Sequence, residues 1–142
     1  MEDLYTVSAI ATGGGRDGHV ASSDGQVDLD VRPPQELGGQ GNAANPESLF
    51  AAAYATCFHG ALKLVANSEG IDATGSKVRA VVTLGKDEGG FQLAAKINVV
   101  IANLDVATVQ KLAEQAHEVC PYSKATRNNI DVEIVAVESF DE

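Results

Sequence analysis

The stretch Asn45-Pro-Glu-Ser-Leu-Phe-Ala-Ala-Ala-Tyr-Ala-Thr-Cys57-Phe-His-Gly-Ala-Leu62 decides how the rest of the chain must be read. Asn45 is a good helix cap, Pro46 suits the first helical position, and Glu47 puts a negative charge near the positive end of the helix dipole. From Leu49 to Val65 apolar residues cover nearly the whole circumference, which predicts a central helix buried on most sides. Ala53, Cys57 and Ala61 recur at four-residue spacing and make a narrow stripe against which another backbone can pack closely. A cysteine therefore stands midway along the most apolar helix of the chain.

Toward the N-terminus, Leu4 to Thr12 and Gln26 to Arg32 carry strand patterns separated by Gly-rich and Ser-Asp-Gly turn signals, which predicts an antiparallel meander. Pro33-Pro34 and the run from Glu36 to Ala44, with Gly38, Gly39 and Gly41, read as a loop leading into the helix. Beyond Gly70, Lys77 to Leu84 and Phe91 to Ile101 predict a hairpin around the turn from Gly85 to Gly90. Asp105 caps a second helix whose apolar positions Val109, Leu112, Ala113, Ala116 and Val119 follow the 3.6-residue period. Pro121 breaks that helix just after Cys120, and a short turn or helix through Ala125 leads to a strand from Ile130 to Val137. The expected fold is α+β, one domain over residues 1–142, with an antiparallel sheet and a central buried helix.

Composition narrows the function. A formal net charge of −10 argues against nucleic-acid binding or docking on anionic lipid, both of which need clustered Lys and Arg. The N-terminus lacks the basic start and apolar core of a signal peptide. Leu49 to Ala66, interrupted by Thr56, His59 and Lys63, falls short of the roughly 18 uninterrupted apolar residues of a membrane span. A soluble, cytoplasmic protein is expected, with no membrane partner. The 2 cysteines are too few for a disulfide scaffold, and in a reducing compartment such a pair is more often catalytic, redox-sensing or metal-binding.

Taken alone, Cys57 reads first as a core residue, because buried cysteine behaves as a small hydrophobe. Cys120 at a helix break is as readily reactive as structural, since a following helix that starts at Pro121 would favour its thiolate. A reactive thiol in an apolar site needs a cation, because desolvation raises its pKa. Arg16 in Gly13-Gly-Gly-Arg-Asp-Gly18 is the candidate, although an arginine in a hairpin turn is ordinarily a solvated surface group. Glu47 is a carboxylate able to hold it through the guanidinium fork, beside its simpler role of helix N-terminal charge. Ten residues separate Glu47 from Cys57, roughly 15 Å of helix axis, so one arginine hardly reaches both on the same helix. A homodimer in which one chain supplies Glu47 or Arg16 to the other's Cys57 removes the difficulty. Against this, a metal module built from the cysteines with His19, His59 and His117 lacks the close paired spacing of zinc sites. There is no Gly-x-Ser-x-Gly elbow, and the glycine runs match neither a dinucleotide nor a P-loop fingerprint. A non-catalytic redox sensor stays open, to be separated from an enzyme by turnover.

The helix segment above, Cys120-Pro-Tyr-Ser-Lys-Ala-Thr-Arg127, Asn129-Ile-Asp-Val132 and the Gly-Gly-Arg16-Asp-Gly loop resemble the organic hydroperoxide resistance (Ohr) proteins of the OsmC/Ohr family, nearly end to end. Cys-Pro-Tyr-Ser resembles the Ohr branch more than the osmotically induced OsmC branch. Lys124, where asparagine is expected, and the third glycine before Arg16 are small departures. The resemblance implies an intertwined α+β homodimer with sites at the interface, acting as a thiol peroxidase on alkyl and lipid hydroperoxides. It makes Cys57 peroxidatic, Cys120 resolving, and Arg16 with Glu47 the activating pair. No bound cofactor or metal is implied, and the reductant implied is an external dithiol on a lipoylated partner protein. Phe50, Tyr54 and Phe58 around Cys57 are core residues first and an apolar substrate pocket second.

Overall fold

The structure is a computed structural model and describes residues 1–140; the last two residues of the expected domain lie outside them. Contacts along the chain group into two compact units, Met1–Leu49 and Phe50–Glu142.

The first unit is an antiparallel meander of β1 (Ala9–Gly13), β2 (Gly18–Ser22) and β3 (Asp28–Val31), followed by a short 3-10 turn, Gln35–Leu37. The meander matches expectation, but its parts differ. The first strand starts at Ala9, since pairing with β2 begins at Ala9 opposite Ser22, and Leu4, Tyr5 and Val7 are exposed. The middle strand, Gly-His-Val-Ala-Ser, has one β-branched residue and no alternation, so it reads from sequence as turn; its place is fixed by backbone pairing on both edges.

Helix α1 runs from Pro46 to Ser68, starting where the cap residues predict. The Ser48 N–H donates to Asn45 Oδ1 at 2.8 Å while Ser48 Oγ accepts from the Asn45 N–H at 3.0 Å, a reciprocal cap. By length and composition α1 would suffice to cross a membrane, which corrects the expectation that no such stretch exists. Its Tyr54, Phe58 and Leu62 are nonetheless wholly buried in the protein core. The burial expected on most sides is interrupted by one exposed stripe, Ala52, Thr56, Gly60, Lys63 and Leu64, because an apolar circumference made largely of alanine does not by itself fix which sides are covered.

The second unit packs α1 from Phe50 onward and α2 (Val106–Val119) with a sheet of order β4-β5-β6, where β4 is Lys77–Asp87, β5 Gly90–Val100 and β6 Val132–Ala136. β4 and β5 form the predicted hairpin, but pairing continues to Asp87 opposite Gly90, so the turn is only Glu88-Gly89. β6 lies parallel to β5, which makes this sheet mixed rather than antiparallel; a parallel neighbour needs a crossover, and α2 with α3 (Pro121–Thr126) supplies it. The core joins Tyr54, Phe58 and Leu62 of α1, Ile97 and Val99 of β5, Val109, Leu112, Ala113 and Ala116 of α2, and Cys120.

Candidate active site

Pro121 has no N–H to continue α2, so the chain leaves the helix for one residue and re-enters α3 with proline at its first position. That residue is Cys120, at φ −65° and ψ 122°. Its N–H still donates to the Ala116 carbonyl at 2.8 Å, and its carbonyl accepts from the Lys124 N–H at 3.0 Å. Cys120 is therefore held from both helices at once, and it is wholly buried.

Cys57, 63 residues earlier in the chain, faces it across the core: the two sulfurs are 3.7 Å apart, both free thiols, with the Cys120 thiol directed at Cys57 Sγ. Cys57 is only partly buried. Burial pushes its thiol above the ordinary 9.0, the neighbouring Cys120 adds to the effect, and the Tyr122 backbone N–H at the start of α3 pulls the other way. Left with these neighbours, Cys57 is overwhelmingly a thiol at neutral pH, and a thiol is a poor nucleophile.

In the N-terminal unit, Arg16 stands in the β1–β2 turn. Gly13 there takes φ 75°, and a Cβ on Gly18 would sit 2.1 Å from the Thr12 carbonyl oxygen, so the turn that presents Arg16 requires glycine at both ends. Arg16 Nη1 donates to Glu47 Oε1 at 2.7 Å and Oε2 at 3.2 Å within the same chain. One nitrogen bridges both carboxylate oxygens, in place of the two-nitrogen fork expected. The Arg16 side chain is 49% exposed and that of Glu47 17%, so the carboxylate is the more enclosed member of the pair and the arginine the more solvent-accessible one. The four predicted site residues thus form two pairs, Arg16 with Glu47 and Cys57 with Cys120.

Sequence reasoning missed a hydrogen-bonded cluster behind the cysteines. Tyr54 Oη lies 2.9 Å from Ser123 Oγ and 3.1 Å from Thr126 Oγ1, and His117 Nδ1 lies 2.7 Å from the same Ser123 Oγ. Arg127 Nη2 donates to the His117 carbonyl at 2.7 Å. The ring of Tyr122 stacks on Phe50 at 6.4 Å and lies 6.0 Å from that of Tyr54. The i, i+6 spacing of His117 and Ser123 across a proline matches no periodicity, so no sequence pattern signals it. Tyr54 and Phe58 are core, leaving Phe50 as the accessible aromatic of the three. The histidines weighed as metal ligands are engaged elsewhere, His59 with Ser76 at 2.8 Å and His19 with Asp28 and Asp30 at 2.5 and 2.9 Å. Among the described residues no group of three or more His, Cys, Asp or Glu is placed to hold a metal ion.

Residues 39–135 match the family model described as OsmC-like protein. An organic hydroperoxide resistance protein of Xanthomonas axonopodis pv. citri is 46% identical over 131 residues, covering 91% of this chain and 92% of that one. Among solved structures, the organic hydroperoxide resistance protein of Elizabethkingia anophelis superposes with a TM-score of 0.91 at 45% identity, over 98% of this chain and all of that one. OhrB of Bacillus subtilis does so with a TM-score of 0.86 at 43% identity, over 95% and 100%. With fold, cysteine pair and near full-length likeness in agreement, the chain belongs to the OsmC/Ohr family, among its organic hydroperoxide resistance proteins.

Proposed function

We propose that the protein is a cysteine-based peroxidase that reduces organic hydroperoxides, alkyl and lipid-derived, to alcohols. The observation that carries this reading is a pair of free thiols 3.7 Å apart with unequal access, Cys57 partly open and Cys120 wholly buried. A hydroperoxide meets Cys57 first. Its thiolate attacks the O–O bond, taking one oxygen to become a sulfenic acid while the alkoxide leaves and is protonated to the alcohol. The Cys120 thiol then displaces water from that sulfenic acid and a Cys57–Cys120 disulfide forms. Two electrons from an external dithiol, a lipoyl group on a partner protein, return both thiols. No bound cofactor takes part, and the chemistry suits a reducing compartment such as the cytoplasm.

Arg16 supplies the cation that Cys57 lacks. Roughly 15 Å of helix axis separates Glu47 from Cys57, so in our reading the protein works as an intertwined homodimer in which the Arg16–Glu47 pair of one protomer serves the other's Cys57. In an apolar site the guanidinium acts more strongly than in water, offsetting the burial that raises the thiol. Phe50 beside Tyr122 offers an alkyl chain an apolar surface, which favours organic over hydrogen peroxide.

The test is peroxide consumption by purified protein with dihydrolipoamide as reductant, comparing tert-butyl hydroperoxide with hydrogen peroxide. Rapid turnover that prefers the organic peroxide and vanishes in Cys57→Ser supports the proposal. Equal or better use of hydrogen peroxide defeats the substrate assignment, and a single oxidation without turnover makes the protein a sensor.

A further inference from the structure

Cys120 is the one residue between α2 and α3 that is in neither helix, so the reach of its sulfur is set by how those helices are held at their corner. Three ties hold it. The His117 ring of α2 meets Ser123 of α3 at 2.7 Å; Arg127, at the end of α3, bridges back to the His117 carbonyl at 2.7 Å; and Tyr54 of α1 binds Ser123 and Thr126 at 2.9 and 3.1 Å. The node is Ser123 Oγ, wholly buried and three residues after Cys120, which joins α2 and α3 to the helix that carries Cys57. No step of the proposed reaction uses these groups.

We propose that Ser123 and His117 are positioning residues for disulfide closure: they fix the α2–α3 corner so that Cys120 captures the Cys57 sulfenic acid before a second peroxide does. The inference rests on the peroxidase reading above and deepens it. Two reactions compete for that sulfenic acid. Closure joins Cys57 and Cys120 sulfurs and releases water; over-oxidation transfers an oxygen from a second hydroperoxide, giving the sulfinic acid and another alcohol. Closure must bring the sulfurs from 3.7 Å to a bond of about 2.05 Å, a travel of about 1.7 Å. Held at the corner, Cys120 meets that distance with a side-chain rotation. Released, it samples wider positions, and intramolecular rates fall steeply with misplacement on the order of 1 Å.

The experiment follows both steps in reduced protein mixed with tert-butyl hydroperoxide. Rapid quenching, a sulfenic-acid trap and intact mass count thiol, sulfenic, disulfide and sulfinic forms. Ser123→Ala and His117→Leu are expected to form the sulfenic acid at the wild-type rate, close the disulfide about tenfold more slowly, and accumulate sulfinic acid at peroxide excess that wild type tolerates. His117→Asn, whose amide can replace the Nδ1 contact, restores closure, a rescue that general loosening of the fold would not give. Thermal unfolding of each variant and its intact first step certify the fold, and partly exposed His117 carries the comparison should buried Ser123 tolerate no change. Wild-type closure in both Ser123→Ala and His117→Leu, or failure of His117→Asn to rescue, overturns the inference while leaving the peroxidase reading intact. A wild-type Cys57 that never yields a sulfenic acid overturns that reading and this inference with it.

Discussion

Glu47→Gln isolates the job of the carboxylate, because glutamine keeps an acceptor oxygen and the side chain's shape while removing its charge. Arg16 Nη1 reaches both Glu47 oxygens, at 2.7 and 3.2 Å, and hydrogen bonds with an ionised partner contribute roughly 1.5–3 kcal/mol. The arginine is 49% exposed, so solvent and salt screen the pair and the charge-dependent part discounts to about 1 kcal/mol. That energy holds the hairpin turn with its arginine docked, and losing 1 kcal/mol lowers the docked population about fivefold relative to undocked forms. If docked Arg16 is what activates Cys57, the second-order rate of Cys57 with tert-butyl hydroperoxide falls by up to about fivefold in Glu47→Gln. It falls further in Glu47→Leu, which has no acceptor at all. Stopped-flow mixing of reduced protein with peroxide, before any reductant is added, measures that step alone. The salt dependence of the rate should also flatten in Glu47→Gln, since one screened pair has gone. Full wild-type rate and salt slope in Glu47→Gln would show that the ion pair does not position Arg16. A loss beyond about a hundredfold would mean that Glu47 does more than hold it, since roughly 2.7 kcal/mol exceeds a half-exposed pair.

Cys57→Ser should abolish peroxide consumption, whereas Cys120→Ser should reduce one equivalent in forming the sulfenic acid and a second as Cys57 advances to the sulfinic acid, read by intact mass, and then stop; normal steady-state turnover of Cys120→Ser with dihydrolipoamide removes its resolving role. Burial raises the Cys57 thiol above 9.0, so in Arg16→Ala the rate of alkylation by iodoacetamide should keep climbing with pH through that value, while wild type levels off lower; superimposable profiles would deny Arg16 any part in ionising Cys57. Burial, with Lys63 and Arg127 nearby respectively, holds His59 and His117 below their ordinary 6.5. The folded state thus binds protons less readily than the unfolded one. Their contribution to stability is complete above about 6.5 and is lost as pH falls from there toward the depressed values. His19, held above 6.5 by its bonds to Asp30 and Asp28, acts in the opposite sense over the same range, so the test is a difference: denaturant melts between about pH 7.5 and 5 should show a smaller acid-side loss in His117→Asn than in wild type, and an equal loss would refute the assignment. Phe58→Ala empties a wholly buried site and should cost about 3–5 kcal/mol. For 142 residues that is on the order of a 10–15 °C fall in Tm, and a shift of a few degrees would mean that the core collapses into the space.

The parts of the fold legible in the sequence are those fixed locally. The start of α1 is legible from Asn45 as cap and Pro46 at the first helical position, to which the structure adds the reciprocal bond with Ser48, and the end of α2 from Pro121, whatever the rest of the chain does. What escaped depends on partners far along the chain. β2 is a strand because β1 and β3 bind its two edges, not because Gly-His-Val-Ala-Ser prefers one. The direction of β6 follows from where the α2–α3 crossover returns the chain, which no pattern within Val132–Ala136 contains. Of the site, residue types were legible and geometry was not. Arg16, Glu47, Cys57 and Cys120 stand out by chemistry and by likeness to a family, but neither the 3.7 Å between sulfurs nor the single-nitrogen bridge to Glu47 follows from spacing.

The difference between the two thiols arises from this packing rather than from the cysteines themselves. Cys57 sits within a regular helix turn, partly open, so reagents reach it but its backbone cannot yield without breaking α1. Cys120 sits at a one-residue break whose corner is tied by hydrogen bonds from both sides, wholly buried, so reagents do not reach it and its sulfur is held facing Cys57. Two thiols of equal access would each meet peroxide and each risk irreversible oxidation. In the proposed reaction the accessible sulfur is the one that is oxidised, and the buried sulfur is the one kept from peroxide. Exchanging the two environments would leave the resolving sulfur open to peroxide and shut the attacking one away from it, so both the first oxidation and the capture of its product would suffer.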